Sequence, residues 1–161
     1  MNTNKMKPGF SAQLKILYST LAAGQLLFAG LAFALNKTGI WLAVPDKNLS
    51  LALTIALSIV SISGISMSYF LYRIKTTAAK QKDTLAAKLT EYRIACTLRW
   101  ALLEFPAFLS IAAFLFSGDV LFFIGFGIVF LIFVAARPSP EKTALELDLS
   151  SDELQGLANP S

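Results

Sequence analysis

Residues 97–138 read TLRWALLEFPAFLSIAAFLFSGDVLFFIGFGIVFLIFVAARP, with two apolar runs on either side of a short polar break. Each run approaches the roughly 20 residues that an α-helix needs to cross about 30 Å of hydrocarbon. The break, Ser117-Gly118-Asp119, has room for a tight turn and nothing larger. The stretch therefore predicts two antiparallel membrane spans, at about 97–116 and 120–136.

Two more apolar runs of spanning length lie upstream, at about 16–35 and 51–72. The chain is 55% hydrophobic and 15% charged, whereas about 25% of residues are charged in ordinary soluble domains. The expected fold is all-α: a four-helix transmembrane bundle over 16–136. An N-terminal segment, 1–15, precedes the bundle, and a short structured tail, 137–161, follows it.

The first run also has features of a secretory signal peptide. Basic residues precede it, and Ala32-Phe33-Ala34 has the small-residue pattern of a cleavage site. Signal peptides have apolar cores of about 7–15 residues. This core is longer, so we expect a retained helix, with cleavage as the alternative.

Basic residues are distributed unevenly between the two sides of the predicted bundle. Of the 14 Lys and Arg residues, only Lys37 and Lys47 lie between the first and second spans; the others flank the termini or lie near the connection 73–96. The side richer in Lys and Arg is normally cytoplasmic. We therefore predict that both termini and this connection face the cytoplasm.

The connection 73–96 is predicted to form an amphipathic helix between the second and third spans, either separate from the third span or running directly into it. Its apolar stripe consists of Ala78, Leu85, Leu89, Tyr92 and Cys96. Anionic lipid attracts such a segment by about 1 kcal/mol per basic residue. The candidate contacts for lipid headgroups or a protein partner are Arg73, Lys75, Lys80, Lys82, Lys88, Arg93 and Arg99. Orientation and anchoring alone are the simplest role of this segment, recruitment of a partner protein is the alternative, and nucleic acid is not an expected partner.

The tail carries signals of structure. Ser139-Pro140-Glu141 is typical of a helix start, with Pro at the first helical position. Leu145, Leu147 and Leu149 alternate with acidic residues, which predicts an extended segment. Residues 150–153 have the spacing of a capping box. Because the tail is acidic and the connection is basic, we predict that they dock.

A small set of polar residues lies inside the predicted spans: Glu104, Pro106, Gln25, Ser58 and Ser61. Inserting an ionised side chain into the bilayer at this depth costs on the order of 2.5–3.5 kcal/mol of free energy. A carboxylate there is therefore expected to be functional or to have a hydrogen-bond or ion-pair partner. Pro106 removes one backbone donor, which predicts a kink beside the carboxyl. The set is either a proton or cation site, or a structural acid among packing surfaces.

Several functional classes are disfavoured. The chain has no His, which is the commonest general base and metal ligand, and a single Cys, which excludes an internal disulfide. The glycines of the fourth run lack the following Lys and Ser or Thr of a phosphate-binding loop. We expect no cofactor and no enzymatic activity.

The second half resembles a group of uncharacterised small bacterial inner-membrane proteins with four predicted transmembrane helices. The resemblance covers residues 90–150 and is carried by four motifs: Tyr92-Arg93-Ile94-Ala95, residues 99–104 (RWALLE), Ser117-Gly118-Asp119, and Arg137-Pro138-Ser139. Phe105 departs from the small residue expected after the glutamate. The resemblance implies a bacterial inner membrane and no particular activity.

These observations favour a scaffold, assembly factor or accessory subunit of a membrane complex. Its cytoplasmic face, 73–98 and 137–161, is expected to bind a protein partner or anionic lipid headgroups, and self-association is a further option. The alternative is a small transporter or channel component with Glu104 as the proton or cation site.

Overall fold

The computed structural model describes residues 9–39 and 47–149 of the 161. The described part consists of helices joined by short connections: α1 (Phe10–Thr38), α2 (Lys47–Lys80), α3 (Leu85–Ser117), α4 (Val120–Ala135) and α5 (Pro140–Leu147). The predicted all-α class is confirmed. The predicted capping box at 150–153 lies outside the described residues.

Three helices, α1, α2 and α3, are long and apolar enough to cross a membrane. Helix α4 has 16 residues, or about 24 Å of rise. It meets the same test only together with α5, to which it is joined by a bend of 70°. Large apolar side chains cover the outer surface, such as Leu27 at 74% and Ile62 at 66% exposed. The chain therefore has the surface of a helical membrane protein with three candidate spans.

Helix α3 is the centre of the bundle. It packs against α2 most extensively, then α4, then α1. Half of its most apolar stretch is buried, against 22% in α1 and 6% in α2. The other helices therefore surround α3 and leave most of their own apolar surface outward.

The core divides into two clusters at opposite ends of the bundle. One contains Tyr18, Trp100, Phe133 and Leu147, and we call this the α5 end. The other contains Phe114 and lies beside the turn between α3 and α4; we call this the Gly118 end. The start of α1 packs at the α5 end, so both ends of the described chain lie on the same side of the bundle.

The predicted turn at the Gly118 end is confirmed. Gly118 has a φ of 68°, in the region that favours glycine, and its N–H donates to the carbonyl of Phe114 at 2.8 Å. Asp119 then caps α4 by accepting from the N–H of Leu121 at 2.9 Å. The other carboxylate oxygen of Asp119 accepts from the Ser50 hydroxyl at 2.7 Å, which ties α2 to the turn.

The prediction of a separate amphipathic helix over 73–96 is wrong. Helix α2 continues to Lys80, and α3 begins at Leu85, because Thr84 caps the new helix by accepting from the N–H of Ala87 at 3.3 Å. The apolar stripe faces the other arm of this hairpin: Tyr92 and Cys96 are buried. We call residues 73–96 the hairpin extension, since they lengthen α2 and α3 beyond the predicted spans.

The tail forms a helix where an extended segment was expected. Ser139 caps α5 by accepting from the N–H of Lys142 at 3.1 Å, with Pro140 at the first helical position, as predicted. Leu145, Glu146 and Leu147 therefore lie in the last turn of this helix, where Leu147 is buried and Leu145 is 78% exposed. Asp148 adopts a left-handed φ of 48° and ends the helix.

Candidate functional site

A hydrogen-bonded group at the α5 end joins three helices. The Tyr92 hydroxyl of α3 donates to Oε2 of Glu146 on α5 at 2.6 Å, and the Tyr72 hydroxyl of α2 donates to the same oxygen. The two hydroxyl oxygens are 3.2 Å apart. We call Tyr72, Tyr92 and Glu146 the Glu146 cluster. The cluster holds α5 against the hairpin extension, which agrees with the predicted docking of the tail onto the connection.

The hairpin geometry brings the two tyrosines together. Tyr72 and Tyr92 are each ten residues from Lys82 in the hairpin turn, so they lie at the same height on antiparallel helices. Their rings are 6.3 Å apart between centroids. The cap at Ser139 and the burial of Leu147 orient α5 so that Glu146 points between these rings.

Burial makes the Tyr92 hydroxyl and the Cys96 thiol resistant to ionisation. Desolvation raises the pKa of Tyr92 far above its usual value, so its hydroxyl remains a donor to Glu146. Desolvation likewise raises the pKa of the Cys96 thiol to about 12. A protonated, buried thiol is a poor nucleophile. Cys96 is therefore a packing residue here, and its reactivity reports whether α5 is in place.

Arg99 lies beside this cluster, and its predicted role is corrected. It was expected to reach lipid headgroups, but it is only 6% exposed. Its guanidinium carbon lies 4.7 Å from the ring centroid of Tyr69 and 4.6 Å from that of Tyr72. The positive charge is held between aromatic faces, which attract cations. Arg99 is therefore a structural cation of the α2–α3 interface.

The remaining basic residues of the hairpin extension lie on its surface or edge. Lys80 forms an ion pair with Asp148 at 2.8 Å, which adds a second link to α5. Arg93 donates to the side-chain oxygen of Gln13 on α1 at 3.4 Å. Four of the predicted contact residues are exposed and two are half-buried: Arg73, Lys80, Lys82 and Arg93, then Lys75 and Lys88.

The predicted intramembrane polar set does not form one site. Ser58 and Ser61 line a groove of about 340 Å³ between α2, α3 and α4. The Ser58 hydroxyl donates to the carbonyl of Thr54 in its own helix at 2.7 Å, so it does not bond across helices. Gln25 is fully buried on α1, and its amide has no hydrogen-bond partner within the described residues.

Glu104 and Pro106 lie on opposite faces of α3, since two residues correspond to about 200° of rotation. Glu104 shares a face with Trp100 and Phe108, whose rings contact α1. Pro106 faces α2, where a Cβ added at Gly64 would lie 3.1 Å from the carbonyl oxygen of Leu102. The Leu102 carbonyl, which Pro106 leaves without a donor, thus faces Gly64 and lies on the side of α3 away from Glu104. Helix α3 continues through Pro106.

Tyr69, Tyr72 and Glu146 are not predicted from the sequence, and Tyr92 is predicted only as part of an apolar stripe. The equal spacing of Tyr72 and Tyr92 about a turn would have revealed the pair, if the hairpin had been recognised. Within residues 9–39 and 47–149, no three His, Cys, Asp or Glu side chains are grouped to hold a metal ion. Comparisons with protein-family models, characterised proteins and solved structures give no match.

Proposed function

We propose that this chain is a non-enzymatic, four-span protein of a bacterial inner membrane that acts as a scaffold, assembly factor or accessory subunit. In this proposal α4 is the fourth span, both termini are cytoplasmic, and the hairpin extension with α5 is the docking surface for a partner protein. The resemblance of residues 90–150 and the distribution of basic residues support the membrane and the orientation.

One observation carries the proposal: the hairpin extension continues past the predicted spans as a braced structure. Residues 73–80 and 85–96 add about 12 Å to α2 and 18 Å to α3. The Glu146 cluster and the Lys80–Asp148 pair fix α5 against this extension. Orientation in the membrane requires only that basic residues lie on one side, so it does not explain why this segment is a rigid projection. Exposed Arg73 and Lys82 give it a basic surface suited to an acidic partner.

Pulldown of the tagged chain from its native membrane in mild detergent, with mass spectrometry, tests this proposal. We expect a stoichiometric partner that is lost on the double substitution Arg73→Glu, Lys82→Glu. The matched control is Lys37→Glu, Lys47→Glu at the other end, which should keep the partner. Ten Lys and Arg residues remain on the richer side of the first variant, so its orientation should be unchanged. Recovery of the chain without a partner contradicts the proposal.

The rival function is a small transporter or channel component that uses Glu104. The buried amide of Gln25, which has no partner among the described residues, is the observation that favours it. The separation of Ser58 and Ser61 from Glu104 weighs against a continuous polar path. Glu104→Gln distinguishes the two: a transporter loses flux and proton coupling, whereas a scaffold keeps its partner and its stability.

A further inference from the structure

A cleft of about 490 Å³ lies at the α5 end, between α1 and the corner where α4 meets α5, and its lining includes no residue of the hairpin extension. Lys15 and Ser19 line it from α1, and Arg137 and Ser139 line it from the corner. Lys15 and Arg137 are both exposed, so their cationic groups are accessible to a ligand. The cleft brings together two cations and the hydroxyls of Tyr18, Ser19 and Ser139 from segments more than 110 residues apart in the chain.

The cleft lies at the height of a membrane surface in the four-span topology proposed above. Lys15 directly precedes the first predicted span, and Arg137 directly follows the fourth. Apolar side chains continue below it on the same helix faces. Leu26 is 52% exposed and lies about three turns from Lys15, while Val134 is 43% exposed and lies one turn from Arg137. A ligand with an anionic head and an apolar chain matches this arrangement.

Glu141 contributes a negative charge at the edge of the cleft. Hydrogen bonds from its own backbone N–H and from the Ser139 hydroxyl, together with the charges of Lys15 and Arg137, lower the pKa of Glu141. The carboxylate is therefore ionised at neutral pH, and the charged residues of the cleft sum to +1. This balance suits a phosphodiester, which carries a single negative charge.

We propose that this cleft binds the phosphate headgroup of one acidic phospholipid, with an acyl chain along α1 and α4. Lys15 and Arg137 hold the phosphate, and the Ser19 hydroxyl donates to one of its oxygens. This inference depends on the proposed four-span topology but not on the docking of a partner protein. It assigns a lipid site to residues outside the basic surface of the hairpin extension.

The test is native mass spectrometry of the full chain in mild detergent, titrated with phosphatidylglycerol or with phosphatidylcholine of the same acyl chains. We expect one phosphatidylglycerol to bind in preference to phosphatidylcholine. Lys15→Gln and Arg137→Gln should each weaken that binding about fivefold, from about 1 kcal/mol per basic residue. Arg137→Lys should restore most of the affinity, and Glu141→Gln should strengthen binding.

The control is Lys37→Gln, at the opposite end of α1, which should leave the first binding constant unchanged. An equal loss in this control would show general charge attraction and overturn the site. Displacement of the lipid by inorganic phosphate at equal concentration would show that the ligand is a free anion. Loss of lipid binding with the partner protein retained would refute this inference alone, since the pulldown reports the hairpin extension separately.

Discussion

The two ends of the bundle are held together in different ways. At the Gly118 end, a glycine with positive φ and a capping aspartate close the turn between neighbours in sequence. At the α5 end, Glu146 accepts hydrogen bonds from the hydroxyls of Tyr92 and Tyr72, which lie 54 and 74 positions earlier in the chain. The turn at the Gly118 end is encoded locally and gains one long-range bond from Ser50, whereas the Glu146 cluster forms only when α2, α3 and α5 have assembled. Local turns thus set the topology, and long-range polar contacts complete the surface proposed to dock a partner.

The largest effect is expected from Glu146→Ala, which removes the shared acceptor of the α5 end. Two buried hydroxyls lose their charged partner, so we expect a loss of roughly 3 kcal/mol in the docking of α5. Because Cys96 is the single cysteine and is buried beside this cluster, its rate of maleimide labelling should rise at least tenfold. Leu145→Ala, at a 78% exposed position of the same helix, is the control and should leave the rate unchanged. Equal labelling of both variants would show that α5 does not depend on Glu146.

The next effect concerns the contact of α2 with α3 at Gly64, which lies between the two ends of the bundle. A Cβ there would lie 3.1 Å from the carbonyl oxygen of Leu102 and 3.5 Å from the Pro106 ring. Both neighbours are rigid, so Gly64→Ala should destabilise the bundle by about 1–2 kcal/mol in denaturant unfolding in detergent. Gly24→Ala is the matched control, because nothing lies within 4 Å of its added Cβ. That variant should be neutral or gain up to about 1 kcal/mol from helix propensity.

A smaller effect is expected at the Gly118 end from Asp119→Ala. Loss of the cap on α4 and of the bond from Ser50 should cost about 1 kcal/mol in unfolding free energy. Hydrogen bonds from the Leu121 N–H and the Ser50 hydroxyl lower the pKa of Asp119 below 3.8. A depressed carboxyl pKa stabilises the fold above the unfolded value, and this contribution is lost as pH falls through the folded pKa. Acid below pH 4 should therefore destabilise wild type more than Asp119→Ala.

The smallest effect is expected for Lys80→Gln, which removes the ion pair with Asp148. The two side chains are 38% and 73% exposed, and exposed pairs contribute about 0–1 kcal/mol. Cys96 labelling should change by less than about threefold, and 1 M salt should abolish the difference from wild type. A change as large as that of Glu146→Ala would mean that charge pairing, and not the Glu146 cluster, holds α5.

The same contrast explains how far the sequence predicts this molecule. The four apolar runs and the Ser117–Asp119 turn follow from local hydropathy and turn chemistry, and the helix start at Ser139 follows from capping. The hairpin extension was not predicted because an apolar stripe such as that of 73–96 can pack equally well on a membrane surface or against another helix. Arg99 was misplaced because periodicity does not reveal aromatic neighbours on a second helix. The grouping of Pro106, Ser58 and Ser61 with Glu104 was wrong because the sequence gives the depth of a residue along its helix but not the direction in which it faces its neighbours.

The position of Arg99 has a consequence for bilayers of different thickness. An exposed lysine or arginine adjusts the height of its charge by bending its side chain toward the water. Arg99 is held between the rings of Tyr69 and Tyr72 and lacks this freedom. Exposed Lys15 and Arg137, on α1 and after α4, retain it. A change in bilayer thickness that shifts the membrane surface relative to Arg99 should therefore be met by tilting of the α2–α3 pair or by deformation of the lipid around it, whereas Lys15 and Arg137 can follow the surface by side-chain movement.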